Sequence, residues 1–282
     1  MVSIFDFLDI EESVNVMDIG AAAINEAPIY RPLLERSIGE LHAFEGDPRQ
    51  IDNLTATYGG QVSIYNDFLF DGTDQDLHVA SPASGMTSLF KPNKNALKFF
   101  NRFEDFGEVY SVDTVKTTKL DDVSGLPLID FAKLDIQGAE LTVLRNGTKK
   151  LKDCLAMQLE VSFVCLYENQ PSFGEVDMWM RSQGYLPHTF LEIKRWSIAP
   201  TIFDGNFRTP GNQLLESDII YVKNPLELDK LSSLQLVKFA ALSHYCFKSP
   251  DLCVVILLEL VRRGELDATV QEQYYNSLRQ GI

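Results

Sequence analysis

An aspartate, a glutamine and a glycine close an apolar run in LIDFAKLDIQGAE, residues 128–140, and are well placed to act on a ligand. The run leads into Asp135, Gln137 follows, and Gly138 opens a helix. In open α/β sheets ligands sit outside the carboxyl ends of the strands, so Asp135 and Gln137 face a crevice beside which glycine lets the backbone turn closely. A second carboxylate, Glu160, lies near the end of another apolar stretch, 156–161. Two carboxylates on adjacent inner strands suit proton transfer. One would act as base and the other orient it, or both would share a divalent cation that lowers an acceptor's pKa. The same residues also have a structural reading, in which Asp135 caps the next helix or fixes a cofactor amine and Glu160 pairs with a buried base.

Those side chains need a sheet to hold them. Val14, Val16 and Ile19 lead into Asp18-Ile19-Gly20, and a short helical stretch with Leu33, Leu34 and Ile38 stops at Gly39. A strand at 40–44 then ends in Glu45-Gly46-Asp47-Pro48. Proline suits the first helical turn because its missing N–H would find no partner there, which predicts a helix from Pro48 to about residue 58. With a strand at 61–65, three strands alternate with two helices, as in a parallel α/β half-sheet. Further strands are expected at 77–80, 109–115, 156–161, 185–196 and 217–222, the last pair antiparallel because little chain separates them for a packed crossover helix. A helix after Gly138 breaks at Asn146-Gly147, and another spans 173–183.

The stretch SPASGMTSLFKPNKN reads as a long loop by its Ser, Gly, Pro and Asn content. Ser88 and Lys91 would close over an acceptor there or stand as ordinary solvated loop residues. His188, on a late strand, is a weaker candidate base, His42 and His78 have no partner visible in sequence, and His244 reads as helical surface. Beyond residue 225 the chain turns helical. Ser249-Pro250-Asp251 reads as a helix start with Ser249 as N-cap, and Arg262-Arg263-Gly264 as its end. The apolar run 252–258 must be covered on most sides by neighbouring helices, by the α/β domain, or by a second subunit in a homo-oligomer. The chain thus divides into two domains, 1–225 α/β and 226–282 helical.

The 282 residues are 45% hydrophobic and 11% aromatic, enough for a sizeable core. A formal charge of −15 argues against a nucleic-acid partner, which calls for clustered Lys and Arg. From Asp229 onward six basic residues balance six acidic ones, so the whole excess lies before it. Cys154, Cys165, Cys246 and Cys253 form no CxxC pair and read as small core residues in a reduced compartment. The first residues carry acids and no positive charge, unlike a secretory signal, and the apolar run 252–258 is far short of the ~20 residues a membrane helix needs. The expectation is a soluble cytoplasmic protein with no membrane insertion.

An Asp-x-Gly strand end, with a strand ending in an acid one helix later, fits a dinucleotide fold. Such folds need GxGxxG so that backbone can approach a pyrophosphate, whereas this chain reads Gly20-Ala21-Ala22-Ala23-Ile24-Asn25. S-adenosylmethionine has no phosphate and carries a sulfonium and an ammonium, so it tolerates fewer glycines and suits an acidic pocket. Glu45 would accept hydrogen bonds from its ribose hydroxyls, and Asp18 would order the groups around its methionine moiety. A nicotinamide oxidoreductase is the alternative enzyme class.

From Val14 to Val222 the chain resembles the FkbM family of S-adenosylmethionine-dependent methyltransferases. The most specific part is VDTVKTTKLDDVSGLPLIDFAKLDIQGAELTVLRNG, residues 112–147, supported by MDIGA, FEGDP, YNDFLFDG, TSLF and LEVSFVCLYENQPSFGEV. The resemblance implies a Rossmann-like class I methyltransferase sheet, mostly parallel with an antiparallel last strand, to which a helical carboxy-terminal extension is added. It implies methyl transfer to a hydroxyl of a sugar, glycan or natural product. Asp18, Gly20 and Ala21 would line the methionine side, Glu45 the ribose, and Asn66, Asp67 and Phe68 the adenine. Asp135 and Glu160 would be catalytic, and no metal ligand is assigned. The three alanines and Ile24 after Gly20 depart from the family pattern. A methyltransferase-shaped scaffold without turnover is the alternative function.

Overall fold

The computed structural model describes residues 8, 12–21, 27–45, 48–81 and 84–280. Residues 22–25 of the alanine-rich turn, together with Gly46 and Asp47, lie outside the described residues. The strands are β1 (Val14–Ile19), β2 (Gly39–Phe44), β3 (Val62–Tyr65), β4 (Phe68–Leu69), β5 (Asp74–Ala80), β6 (Val109–Thr118), β7 (Phe131–Leu134), β8 (Ala156–Ser162), β9 (Tyr185–Trp196) and β10 (Gln213–Lys223). The helices are α1 (Arg31–Glu35), α2 (Pro48–Tyr58), α3 (Lys94–Phe99), α4 (Phe103–Phe106), α5 (Glu140–Arg145), α6 (Phe173–Ser182), α7 (Ser233–Ala241), α8 (Pro250–Arg262) and α9 (Val270–Gln280).

Seven strands form the main sheet in the order β3-β2-β1-β7-β8-β10-β9. The first five run parallel, and β10 returns antiparallel between β8 and β9. This is a Rossmann-like class I methyltransferase sheet, with the antiparallel ending that the short connection between the last two strands predicts. β1, β7 and β8 are inner strands covered on both faces, and most of their residues are apolar and buried. Parallel register brings the ends of these strands level. Ile19 pairs with Phe44 and Leu134, Phe44 with Tyr65, and Leu134 with Leu159. The next residue on each strand, Asn66, Glu45, Gly20, Asp135 and Glu160, therefore forms one row along the carboxyl edge.

One face of the sheet packs α5, α6 and the segment around Leu120, Val123 and Leu126 over Met17, Leu134 and Leu159. The other packs α1 and α2 together with α7, α8 and α9 over Val16, Leu41, Phe131 and Ile220. The helical segment after residue 225 thus shares its core with the sheet. Fully buried Cys253, Ile256 and Leu257 of α8 meet the same cluster as Val14 and Phe131. An ion pair reinforces the seam, since Lys238 on α7 reaches Asp130 Oδ2 at 2.9 Å with both side chains nearly buried. The strands predicted near 77–80 and 109–115 are longer than expected and pair with each other in a separate three-stranded sheet with β4.

Two helix starts differ from their sequence signals. Ser249 makes no cap bond to α8, its backbone standing at φ −109° and ψ 83°, and its hydroxyl donates to Asp251 Oδ1 at 2.6 Å. Ser172 and Ser232 do form capping boxes, with Glu175 and Gln235. The helix expected from Gly138 begins at Glu140, since Gln137 (φ +55°) and Gly138 (φ +103°) are both left-handed. Three cysteines are buried, Cys165 is partly so, and all four are free thiols. Among the described residues no helix is long and apolar enough to cross a membrane.

Candidate active site

A cavity of about 430 Å³ opens over the carboxyl-edge row. Gly20, Glu45, Asn66, Asp67, Phe68 and Asp135 all stand on its wall, with Phe44, Leu69 and Ile136 as apolar lining. Gly20 (φ +80°) is required by the backbone, because an added Cβ would press on the carbonyl oxygen of Asp135. Phe44 stacks on Tyr65 with ring centroids 4.9 Å apart, which stiffens the wall next to Glu45.

A second cavity of about 800 Å³ adjoins the first. Its aromatic side is Phe103, Phe106 and Trp196, and its charged side includes Glu160, Lys194, Arg195 and Glu216. The two cavities share only Gly85, Asp135 and Gln137 as lining residues. Asp135 is therefore accessible from both, whereas Glu160 borders the second alone.

Gln137 connects them. Its side-chain nitrogen donates to Glu160 Oε2 at 3.0 Å and lies 3.4 Å from Asp135 Oδ1, while Tyr167 donates its hydroxyl to the amide oxygen at 2.9 Å. Ser88, from the long loop, donates to the Gln137 carbonyl at 2.8 Å. Behind the row, Glu140 Oε1 accepts the backbone N–H groups of Ile136 and Gly138 at 2.9 and 3.2 Å. Glu140 thus holds the turn after Asp135 from inside the fold.

Burial and neighbouring charges set the electrostatics at this edge. Burial pushes the Glu140 carboxyl up to about 7, with backbone N–H bonds pulling the other way. Burial also lifts Glu160 well above the usual carboxylate range, and the charges of Glu216, Asp135 and Glu140 add to it against Lys194. Burial works against the charge on Lys194, yet Glu216 at 2.8 Å and Glu160 at 3.9 Å hold its pKa above the ordinary lysine value. Asp218, opposite Glu160 in the β8–β10 pairing, is raised by burial and then by Asp135.

Two residues expected at the cofactor do not line the first cavity. The Asp18 carboxylate is buried, accepting the Tyr30 hydroxyl at 2.6 Å and Lys133 Nζ at 3.2 Å, and lies off the cavity wall. Ala21 packs into the core beneath α1 and the carboxy-terminal helices. None of the four histidines lines either cavity. Lys91 pairs with Glu168 at 3.2 Å, Trp179 packs against a core cluster, and Trp196 borders the second cavity. Sequence reasoning missed Lys194, Glu216 and Tyr167. The first two face each other across the β9–β10 pair, a contact that no local motif announces. Among the described residues no group of three His, Cys, Asp or Glu side chains is arranged to hold a metal ion.

The sequence model of the methyltransferase FkbM domain matches residues 18–187, more than half of the chain. The chain belongs to the FkbM methyltransferase family. The matched FkbM span contains the whole row from Gly20 to Glu160 and stops before Lys194 and Glu216, which are supplied by the later strands. No curated protein matches the sequence. Among solved structures, the precorrin-6y C5,15-methyltransferase of Geobacter metallireducens is 12% identical, with a TM-score of 0.37 over 76% of this chain and 81% of that one. The magnesium protoporphyrin IX methyltransferase of Synechocystis is 9% identical, with a TM-score of 0.36 over 76% and 71%. An uncharacterised protein of Listeria monocytogenes is 10% identical, with a TM-score of 0.37 over 93% and 87%. The fold of this FkbM methyltransferase is read from its strand order and register, independently of these distant likenesses.

Proposed function

We propose that this FkbM methyltransferase uses S-adenosylmethionine to methylate a hydroxyl group on a sugar, glycan or natural product. The observation that carries the reading is the meeting of two cavities at Asp135, the first bordered by Glu45 and Phe68 and the second by carboxylates and aromatic rings. The first fits the cofactor. Its volume lies within the range of small-molecule sites, its lining is mostly apolar, and a carboxylate ends β2. Glu45 would bind the ribose hydroxyls, Asn66, Asp67 and Phe68 would border the adenine, and Gly20 would leave room for the methionine portion. Asp18 takes a different part, since with Tyr30 and Lys133 it braces the end of β1 from behind.

Bound S-adenosylmethionine supplies an activated methyl group. The protein must then hold the acceptor in near-attack geometry, exclude water and remove one proton from a weakly acidic hydroxyl. Phe103, Phe106 and Trp196 offer apolar surface for a ring or hydrocarbon portion of the acceptor, and the charged side, which carries both signs, faces its hydroxyls. Asp135, reached from both cavities, is positioned to receive the proton.

Calorimetry with S-adenosylmethionine on the wild type and on Glu45→Ala tests the cofactor site. Saturable binding that the substitution weakens by about 1 to 3 kcal/mol is expected from the loss of charged hydrogen bonds. Transfer of a labelled methyl group to a panel of sugars and polyketide-like alcohols then tests the acceptor class. Absence of binding by the wild type would overturn the enzyme reading in favour of a scaffold that keeps the fold without turnover.

A further inference from the structure

We infer that Gln137 is a positioning residue whose side-chain amide holds the Asp135 and Glu160 carboxyl groups together where the two cavities meet, leaving Asp135 to take the acceptor's proton. The inference rests on the methyl-transfer reading above and adds to it the residue that organises the reacting wall.

Orientation of the amide follows from its partners. Tyr167 donates to the amide oxygen at 2.9 Å, so the nitrogen and its two hydrogens turn toward the carboxyls, at 3.0 Å from Glu160 and 3.4 Å from Asp135. An amide nitrogen has one hydrogen for each acid. The backbone is gripped as well, since Gln137 adopts φ +55°, uncommon for a residue with a side chain, and Ser88 donates to its carbonyl. The loop bearing Tyr167 is held in turn by Gln170, whose Oε1 accepts the backbone N–H groups of Leu166 and Tyr167 at 2.8 and 3.2 Å and whose Nε2 donates to Ser162 Oγ. Two loops far apart in sequence thus secure one glutamine in a left-handed conformation. Uncommon backbone geometry secured this way is a recurrent feature of functional sites.

The surrounding charges explain why such a clamp is needed. Asp135 follows β7, Glu140 lies on α5, and Glu216 and Asp218 lie on β10, all facing Glu160 on β8. Lys194 on β9 and Lys133 on β7 are the cations paired with acids here, and Arg195 and Arg208 also line the second cavity. Lys194 sits nearer Glu216 than Glu160, at 2.8 against 3.9 Å, and Lys133 is taken up by Asp18. The Gln137 amide is therefore the closest side-chain donor to Glu160. Burial and neighbouring acids favour the protonated form of Glu160. Glu160 borders only the second cavity and Asp135 borders both, which selects Asp135 as the proton acceptor. The proton leaving the hydroxyl ends on an Asp135 oxygen. The electron pair it leaves forms the new oxygen–carbon bond, while the carbon–sulfur pair returns to sulfur.

Carbon-13 carboxyl NMR titration of the ligand-free, full-length protein tests this without an acceptor. In Gln137→Leu the titration midpoint of Glu160 should rise by about one to two pH units as its closest side-chain donor is lost. Tyr167→Phe, which releases the amide to turn over, should raise the same midpoint by less, and it decides the matter if Gln137→Leu does not fold. An unchanged Glu160 midpoint in a folded Gln137→Leu, or in Tyr167→Phe where that variant decides, would overturn the inference. Failure of the methyl-transfer reading shows separately, as absent S-adenosylmethionine binding by the wild type.

Discussion

Asp130 precedes β7 and Asp135 follows it, so the two carboxylates stand at opposite ends of one four-residue strand. Asp130 is surrounded by donors. It accepts the backbone N–H of Asn15 at 2.8 Å and the ammonium of Lys238 at 2.9 Å, and although burial raises its pKa, both bonds pull it back. Asp135 faces cavities on two sides and has Glu160, Glu140 and Asp218 as neighbours, each with an affinity for protons raised mainly by burial. The amino end of the strand is built as a seam, and the carboxyl end opens on both cavities. A paired acid serves stability at the first, whereas a crowd of acids with raised proton affinity beside a cavity is the pattern that marks a candidate functional site.

The largest expected effect lies at the seam. Lys238→Met leaves Asp130 buried without its cation, and breaking such a pair costs about 3 to 5 kcal/mol. Denaturant unfolding should show that loss, and the double variant Lys238→Met with Asp130→Asn should recover much of it, since the amide oxygen still accepts from Asn15. A loss below about 1 kcal/mol, the range of exposed pairs, would mean that α7 is not locked to the sheet through this contact. The test also bears on domain organisation, because the seam joins the segment after residue 225 to the middle of the sheet.

That joint was illegible in sequence. The run 252–258 announces a helix needing cover but cannot say whether neighbouring helices, the sheet or a second subunit supplies it; α7 and α9 pack on α8, and the cluster they share extends to Val14 and Phe131, more than a hundred residues away. The carboxyl-edge row was legible, since Gly20, Glu45, Asn66, Asp135 and Glu160 each follow an apolar strand pattern and parallel register aligns those ends automatically. Which way a side chain points from a strand end was not. Asp18 reads like Glu45 locally, but it turns inward because Tyr30 and Lys133, the latter 115 residues away, supply its donors. Lys194 and Glu216 were invisible because they meet only through the antiparallel return of β10.

At the carboxyl end of β7, Glu140 offers a pH-dependent contrast. Its folded-state pKa is raised from 4.5 to about 7, so the folded chain holds this proton more tightly than the unfolded one does. Its contribution to stability is fully present below about pH 4.5 and is lost as pH rises through about 7. Glutamine keeps an oxygen for the Ile136 and Gly138 N–H groups while removing the titration. The stability of Glu140→Gln relative to wild type should therefore climb across that window by roughly 3 kcal/mol. Parallel unfolding curves at pH 5 and pH 8 would show that the acid is not held in a protonated state.

The smallest effect gives the sharpest contrast with Lys238. Glu160→Gln removes an acid that burial, Glu216 and Asp135 all disfavour when charged, and the neutral amide leaves Lys194 with Glu216. Proton linkage sets the direction here too. A raised carboxyl pKa means stability lost as pH rises, so the variant should match wild type in acid and exceed it at pH 8 by about 1 kcal/mol, the range typical when a functional site is relieved. S-adenosylmethionine affinity should change little, because Glu160 borders the second cavity alone, while methyl transfer should fall. A substitution that stabilises the carboxyl end of the sheet, set beside one that destabilises its amino end, would separate wall from seam within a single core. If Glu160→Gln instead destabilised the protein to the degree expected for Lys238→Met, the acid cluster would itself be structural and the division between the two ends of β7 would fail.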